Sequence, residues 1–239
     1  MADLPDGIKI TWLGHATFTV ETPSGKKLLI DPWLASNPKC PDDLARPGHL
    51  DAILVTHGHF DHIHDIFDVA GDADQIVSIA ETSWWLQSKG IGEEKAIGMN
   101  KGGTFETAGC QIHMVHALHS CGIRDGDQVV YGGEAAGYVI EFENGFRLYH
   151  AGDTGVFGDM ELIGRLLKPE VAILPIGDHF TMGPPSAAEA IRLLGVKTVI
   201  PCHWGTFPAL AGTPDALRNE AKDVEGLDVV DLQPGETLG

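Results

Sequence analysis

The densest concentration of reactive side chains in the 239-residue sequence is Thr56-His57-Gly58-His59-Phe60-Asp61-His62. Three imidazoles and a carboxylate crowd into it. Neutral imidazole and carboxylate form a donor set taken by zinc, manganese and iron. Each residue alone has an ordinary explanation: Asp61 can be a helix N-cap, and a histidine in a turn is commonly solvated. Together, at H-x-H-x-D-H spacing, they are read as metal ligands.

The elements that must position them are legible on both sides. Ala52-Ile53-Leu54-Val55 reads as a buried strand, and Ile63, Ile66, Phe67 and Ala70 recur at helical spacing. The cluster therefore sits on a strand-to-helix turn. Gly58 is read as the residue that lets the backbone turn tightly.

Upstream, Lys9–Trp12, Thr17–Glu21 and Lys27–Ile30 form an expected β-meander, with Gly14-His15 at its first turn and Asp31-Pro32 at its end. His15 is either a plain turn residue or part of the site. Asp31 is a candidate loop anchor for backbone amides. Downstream, Gln75–Ile79 is a strand and Ser83–Lys89 a short helix whose Trp84 and Trp85 are expected to pack in the core. Ile91–Thr107 reads as Gly-rich turns.

Cys110–Leu118 reads as a strand. Alternation places His113 and His119 on one face and His116 on the other. Arg124–Gln128 is a charged loop near the pocket mouth. Gly137–Phe142 and Phe146–His150 form a hairpin around Glu143-Asn144-Gly145, leading into Asp153, which alone could be only another cap. His150 reads as a strand residue or a partner of a ligand. Met160–Leu167 is an amphipathic helix and Val171–Ile176 a buried strand. Asp178 and His179 follow on a loop that is either structural or in contact with substrate. Ser186–Leu194 is a helix with Ser186 as cap and Glu189 at capping-box spacing. Thr198–Cys202 presents His203, and Thr213–Val224 is a helix capped by Thr213 with Pro214 at its first position. The two halves of the chain hint at a repeat.

The H-x-H-x-D-H turn resembles the signature of the metallo-β-lactamase superfamily. Trp12-Leu13-Gly14-His15-Ala16-Thr17-Phe18, Ile30-Asp31-Pro32, His150-Ala151-Gly152-Asp153-Thr154, Phe180-Thr181-Met182-Gly183-Pro184 and Cys202-His203-Trp204-Gly205-Thr206-Phe207-Pro208 are similar, in order, to a branch of small metal-dependent hydrolases near the ascorbate-phosphate lactonases. The resemblance implies an α/β (α+β) fold: a four-layer αβ/βα sandwich of two mixed sheets flanked by helices, as one domain over residues 1–239. It also implies a dinuclear site. His57, His59 and His119 hold one ion, with His116 as the runner-up to His119. Asp61, His62 and His203 hold the second, and Asp153 bridges. His15 lies by the metals in that family. Many relatives carry a second Ser where Cys121 stands.

The 43% hydrophobic content suits one large core. No signal peptide or membrane-length apolar run is legible, so a soluble cytoplasmic protein is expected. Cys40, Cys110, Cys121 and Cys202 lack paired spacing, which argues against a disulfide framework. Cys121 is a candidate solvent-facing thiol near the site. The net charge of -18 disfavours nucleic acid and anionic membrane. The expected partner is a small-molecule substrate; a homo-oligomer is compatible with the sequence.

The chemistry expected is hydrolysis of an ester, lactone or phosphoester by a metal-bridging hydroxide. Asp61 aims the nucleophile, and two divalent ions sit about 3.5–4 Å apart. Zinc is the first choice of metal, and manganese or iron take the same ligands. The alternatives are a phosphodiesterase and a non-hydrolytic di-iron redox or sensing protein on the same scaffold.

Overall fold

A computed structural model describes residues 4–239. The opening meander is present: β1 (Lys9–Trp12), β2 (Phe18–Glu21) and β3 (Lys27–Ile30) pair antiparallel. Apolar residues at alternate positions (Ile10 and Trp12, Phe18 and Val20) put one face of this sheet inside. The chain then switches to parallel pairing with β4 (Leu50–Leu54) and β5 (Ala73–Ile79). Between them run two short helices, α1 (Phe60–Ile63) and α2 (Ile66–Val69). Helix α3 (Ala80–Ser88) then leads to β6 (Ala96–Met99), again parallel.

The second half opens with β7 (Thr104–Thr107) and β8 (Cys110–His116). A separate hairpin follows, β9 (Gly122–Asp125) with β10 (Gln128–Tyr131). Strands β11 (Ala136–Glu141) and β12 (Arg147–His150) complete an antiparallel set with β8. Helix α4 (Met160–Leu167), β13 (Val171–Pro175), α5 (Pro184–Leu194), β14 (Thr198–Cys202), α6 (Pro214–Glu220) and β15 (Asp228–Val229) add the parallel strands. The last strand, β16 (Thr237–Leu238), returns to β1.

The sheets run β16-β1-β2-β3-β4-β5-β6 and β7-β8-β11-β12-β13-β14-β15. Read in that direction, each has three antiparallel pairings followed by three parallel ones. The hint of a repeat in the sequence thus has a topological counterpart. One apolar cluster, including Phe18, Leu28 and Val77 from one sheet and Met114, Tyr138 and Ile173 from the other, fills the space between the inner faces. A second packs α4, α5 and α6 on one outer face. A third packs α1, α2 and α3 on the other. The result is helix, sheet, sheet, helix, the expected four-layer αβ/βα arrangement.

Several local expectations are corrected. The helical pattern after the metal turn is broken into α1 and α2. The Asp65 carboxylate between them turns to accept the Leu34 amide at 2.5 Å, and the Asp65 amide donates to Pro32 O. The stretch 91–107 contains β6 and β7, and the charged loop 124–128 is the turn side of the β9–β10 hairpin. Trp84 points outward, 61% exposed. Helix α5 starts at Pro184 with Gly183 as an N-cap lacking side-chain help, so Ser186 caps nothing. Thr213 does cap α6, accepting from the Ala216 amide. That helix stops at Glu220, short of Val224.

Candidate metal centre

Because β1 and β3 run the same way as β4, and β8 the same way as β12, β13 and β14, their carboxyl ends gather at one edge of the sandwich. All but the end of β13 carry a site residue: His15 after β1, Asp31 after β3, His57 to His62 after β4, His119 after β8, Asp153 after β12, and His203 after β14. Among the described residues, five of the seven non-glycine residues with positive φ lie at these ends: His15, Asp31, Asp178, His179 and His203. This conformation costs a side-chain-bearing residue about 1–2 kcal/mol. Residues held this way concentrate where function requires them.

Two donor sets face each other. In one, His57 Nε2 lies 3.0 Å from His59 Nδ1, which lies 3.3 Å from His119 Nε2. In the other, the ligand atoms of His15, Asp61, His62 and His203 all fall within 4.8 Å of one another. Asp153 stands between them. Its Oδ2 is 3.9 Å from His57 Nε2, 3.7 Å from His119 Nε2, 3.3 Å from His62 Nε2 and 3.0 Å from His203 Nε2. A tetrahedral ion with bonds near 2 Å separates its ligand atoms by roughly 3.3 Å, within the range of these spacings.

The buried carboxylate of Asp31 fixes how two of the imidazoles present themselves. It accepts from the Thr56 amide at 2.8 Å, the Thr56 hydroxyl at 2.6 Å and His62 Nδ1 at 2.7 Å. The single Thr56 hydroxyl proton is therefore committed to Asp31, so the 3.0 Å contact from Thr56 Oγ1 to His57 Nδ1 has His57 as donor. The Nε2 lone pairs of neutral His57 and His62 thus face the centre. This is the arrangement a metal-ligating histidine needs. On the far side of His59, Ser120 Oγ lies 3.2 Å from Nε2.

Buried polar atoms remain without hydrogen-bond partners at the centre itself: His62 Nε2, Asp153 Oδ1 and His203 Nε2. Such groups cost about 1–3 kcal/mol each when unmet. Inward lone pairs, buried ligand atoms without partners and a shared carboxylate oxygen make these residues fit divalent metal.

The electrostatics agree. Burial alone would lower His62 and His203. The carboxylates of Asp153 and Asp31 nevertheless raise His62 well above its ordinary value, and Asp153 and Asp61 raise His203 to about 9. Burial lowers His57, His59 and His119. Burial would raise Asp61 and Asp153, but their imidazole neighbours hold both below the carboxylate range. Anionic carboxylates among neutral imidazoles call for positive charge, which protons supply when no ion does.

The remaining expectations divide. His15 is buried, with Nε2 donating to Asp61 Oδ2 at 3.0 Å and Nδ1 3.0 Å from Thr206 Oγ1. Burial lowers it to about 4. His150 is buried on β12, accepts the Gly152 amide at Nδ1 and is likewise lowered to about 4 by burial. Asp31 does anchor a backbone amide, as expected, but it also orients ligands. His116 turns away to Lys101 and Phe157, while His113 bonds Thr104. β8 stops at His116, so alternation never reaches His119.

Asp178 and His179 are exposed, and neither lines the cavity over the centre; Phe180 does. Asp61 is not a cap: the N-cap of α1 is His59. Cys121 is buried, with Sγ accepting the Gly58 amide at 3.3 Å, and burial raises its thiol. That overturns the solvent-facing reading. Gly58 does not have positive φ. A Cβ there would meet Ile123 Cγ1 at 2.3 Å, so the residue is small to admit a neighbour.

The cavity over the centre holds about 740 Å³. Asp61, His119 and His203 lie on its floor, and Phe60, Phe180 and Phe207 line its walls. Phe180 and Phe207 carry no signal in the sequence because an aromatic residue in a loop has no periodicity, and Phe60 opens a helix of one turn, too short to show any.

Comparison with known proteins fits this geometry. The family described as Beta-lactamase superfamily domain matches residues 26–204. A UPF0173 metal-dependent hydrolase of Koribacter versatilis is 53% identical over 232 residues, covering 97% of each chain. Another, of Roseiflexus castenholzii, is 50% identical over the whole of both chains. The solved structure of Igni18, a metallo hydrolase from the archaeon Ignicoccus hospitalis, superposes with a TM-score of 0.83 at 34% identity, covering 96% of this chain and 97% of that one. The chain belongs to the β-lactamase superfamily and, within it, to the UPF0173 family of metal-dependent hydrolases.

Proposed function

We propose that this protein is a hydrolase that holds two divalent ions and cleaves a small ester, lactone or phosphoester. The observation that carries the reading is Asp153 Oδ2, which lies within 3.0–3.9 Å of imidazole nitrogens from both donor sets. His57, His59 and His119 would hold one ion and Asp61, His62 and His203 the other, with Asp153 shared. Zinc suits this donor set, and manganese and iron accept it. Ions bound there supply an acidified water and a Lewis acid for the scissile oxygen.

The chain's own residues do the rest. Asp61 faces the cavity as a carboxylate and accepts a hydrogen bond from the attacking water, aiming it. His15 donates to Asp61 and holds its orientation. Asp31 keeps His57 and His62 in the tautomers that turn lone pairs inward. Phe60, Phe180 and Phe207 limit water around the reacting bond. The cavity suits a small molecule rather than a polymer.

A panel of lactones, thioesters, phosphodiesters and β-lactams against metal-defined protein tests the reading. Turnover of a lactone, ester or phosphoester is expected, and Asp61→Ala should lower it by about two orders of magnitude or more while the fold survives. Near-normal turnover by Asp61→Ala at full metal content would refute the mechanism.

A further inference from the structure

Among the described residues, Arg124 is the only lysine or arginine lining the cavity over the candidate metal centre. It forms no ion pair or hydrogen bond among the described residues. Lys39, Arg46, Arg165, Lys168 and Lys222 likewise have no side-chain partner among the described residues, but none of them lines this cavity. Lys9, Lys26, Lys89, Lys101, Arg147 and Arg192 all sit against carboxylates. The nearest acid in sequence, Asp125, is committed elsewhere: it accepts from Lys89 Nζ at 2.8 Å and from Trp85 Nε1 at 3.2 Å.

The strand that carries Arg124 is firmly seated. Ile123 is fully buried over Gly58, and Asp125 ties the strand to α3. Alternation along β9 turns Ile123 inward and leaves Arg124 exposed on the cavity side. Phe60 and Phe207, in the same lining, both pack on buried Trp33, with ring centroids 5.7 and 5.8 Å away. Phe60 and Phe180 nevertheless remain 53% and 55% exposed. The cavity lining therefore combines aromatic rings, candidate metal ligands and one exposed guanidinium without a protein partner.

Resting on the hydrolase reading above, we infer that the substrate is an amphiphile. An apolar body carrying the scissile bond lies against Phe60, Phe180 and Phe207. A separate oxyanion group, a carboxylate or phosphate, is taken by Arg124. Guanidinium pairs with either oxyanion through charge-assisted hydrogen bonds. Arg124 is thus a specificity residue, distant in role from the bond that breaks.

The test compares mono-p-nitrophenyl glutarate, which ends in a carboxylate, with neutral p-nitrophenyl valerate. Both are assayed on metal-loaded wild type, Arg124→Ala and Arg124→Lys. Arg124→Ala should cut the anionic-to-neutral ratio of kcat/KM by about tenfold or more, through KM with kcat held. Arg124→Lys should restore part of it. Equal losses on both esters, or an unchanged ratio, would overturn the inference.

Calorimetry with 4-phenylbutyrate, 3-phenylpropylphosphonate and 4-phenylbutanol decides the matter independently of turnover. The two anions should bind wild type more tightly than the alcohol and lose that advantage in Arg124→Ala. Preference for one anion then tells carboxylate from phosphate. Anion binding that is indifferent to Arg124, or no anion preference in wild type, would overturn the inference. If neither ester turns over, the ester form of the hydrolase reading fails while calorimetry still judges Arg124.

Discussion

Asp31 ligates nothing in the proposed centre, yet two of its imidazoles depend on it. Asp31→Asn keeps the size but turns an NH2 donor either to the Thr56 amide or to the Thr56 hydroxyl and His62, so the three hydrogen bonds can no longer all be accepted. Metal affinity, read by chelator competition, should fall about 10–100-fold; unchanged affinity would mean the tautomers are set by something else. His15 poses the complementary question, since it lies within ligand range of the second donor set but donates to Asp61. His15→Phe keeps a ring between Trp33 and Phe207 and removes that donor. Turnover should drop by about tenfold or more with metal content unchanged; loss of one ion per chain would make His15 a ligand. The cluster at His57–His62 was legible from type and spacing alone. The duties of Asp31 and His15 were not, because they arise from left-handed backbone and from partners far along the chain, Thr56 and Asp61.

The hairpin β9–β10 shows how an element can serve a site without contributing a ligand. Ile123 presses on the metal turn where Gly58 has no side chain. Gly58→Ala should therefore cost about 1–3 kcal/mol by overcrowding, and that cost should shrink when it is measured in an Ile123→Ala background, so that the double variant recovers part of the additive loss in melting temperature. No recovery in the double variant would place the cost in the turn's own backbone. The sequence shows only the charged stretch Arg124–Gln128 there, because four-residue strands are too short to display a clear alternation. The strands β6 and β7 escaped for the same reason. Helix α4 and strand β14 matched their sequence-derived limits because continuous or periodic apolar residues fix them. The split between α1 and α2 needed knowledge of where the Asp65 side chain goes.

At the scale of the whole molecule, two sheets of matching topology bring strand ends from distant sequence to one edge. Charge balance there governs stability. In metal-free protein, His203 is raised from 6.5 to about 9. That contribution, roughly 3 kcal/mol, is full below pH 6.5 and is lost as pH rises through 9. His15 and His150, lowered to about 4, act oppositely: their contribution is full above 6.5 and fades as pH falls towards 4. Ions bound at the proposed centre would replace the protons on His62 and His203. The gap in Tm between metal-loaded and metal-free protein should therefore widen from pH 6.5 to 9, and a constant gap would contradict this balance. The most direct test of the central claim is a metal titration. Chelator-stripped protein receives zinc or manganese stepwise while bound metal and hydrolysis of the substrate panel are followed together. Activity should appear with metal and saturate near two ions per chain. Saturation at one ion, activity without metal, or two bound ions with no hydrolysis of any substrate would contradict it.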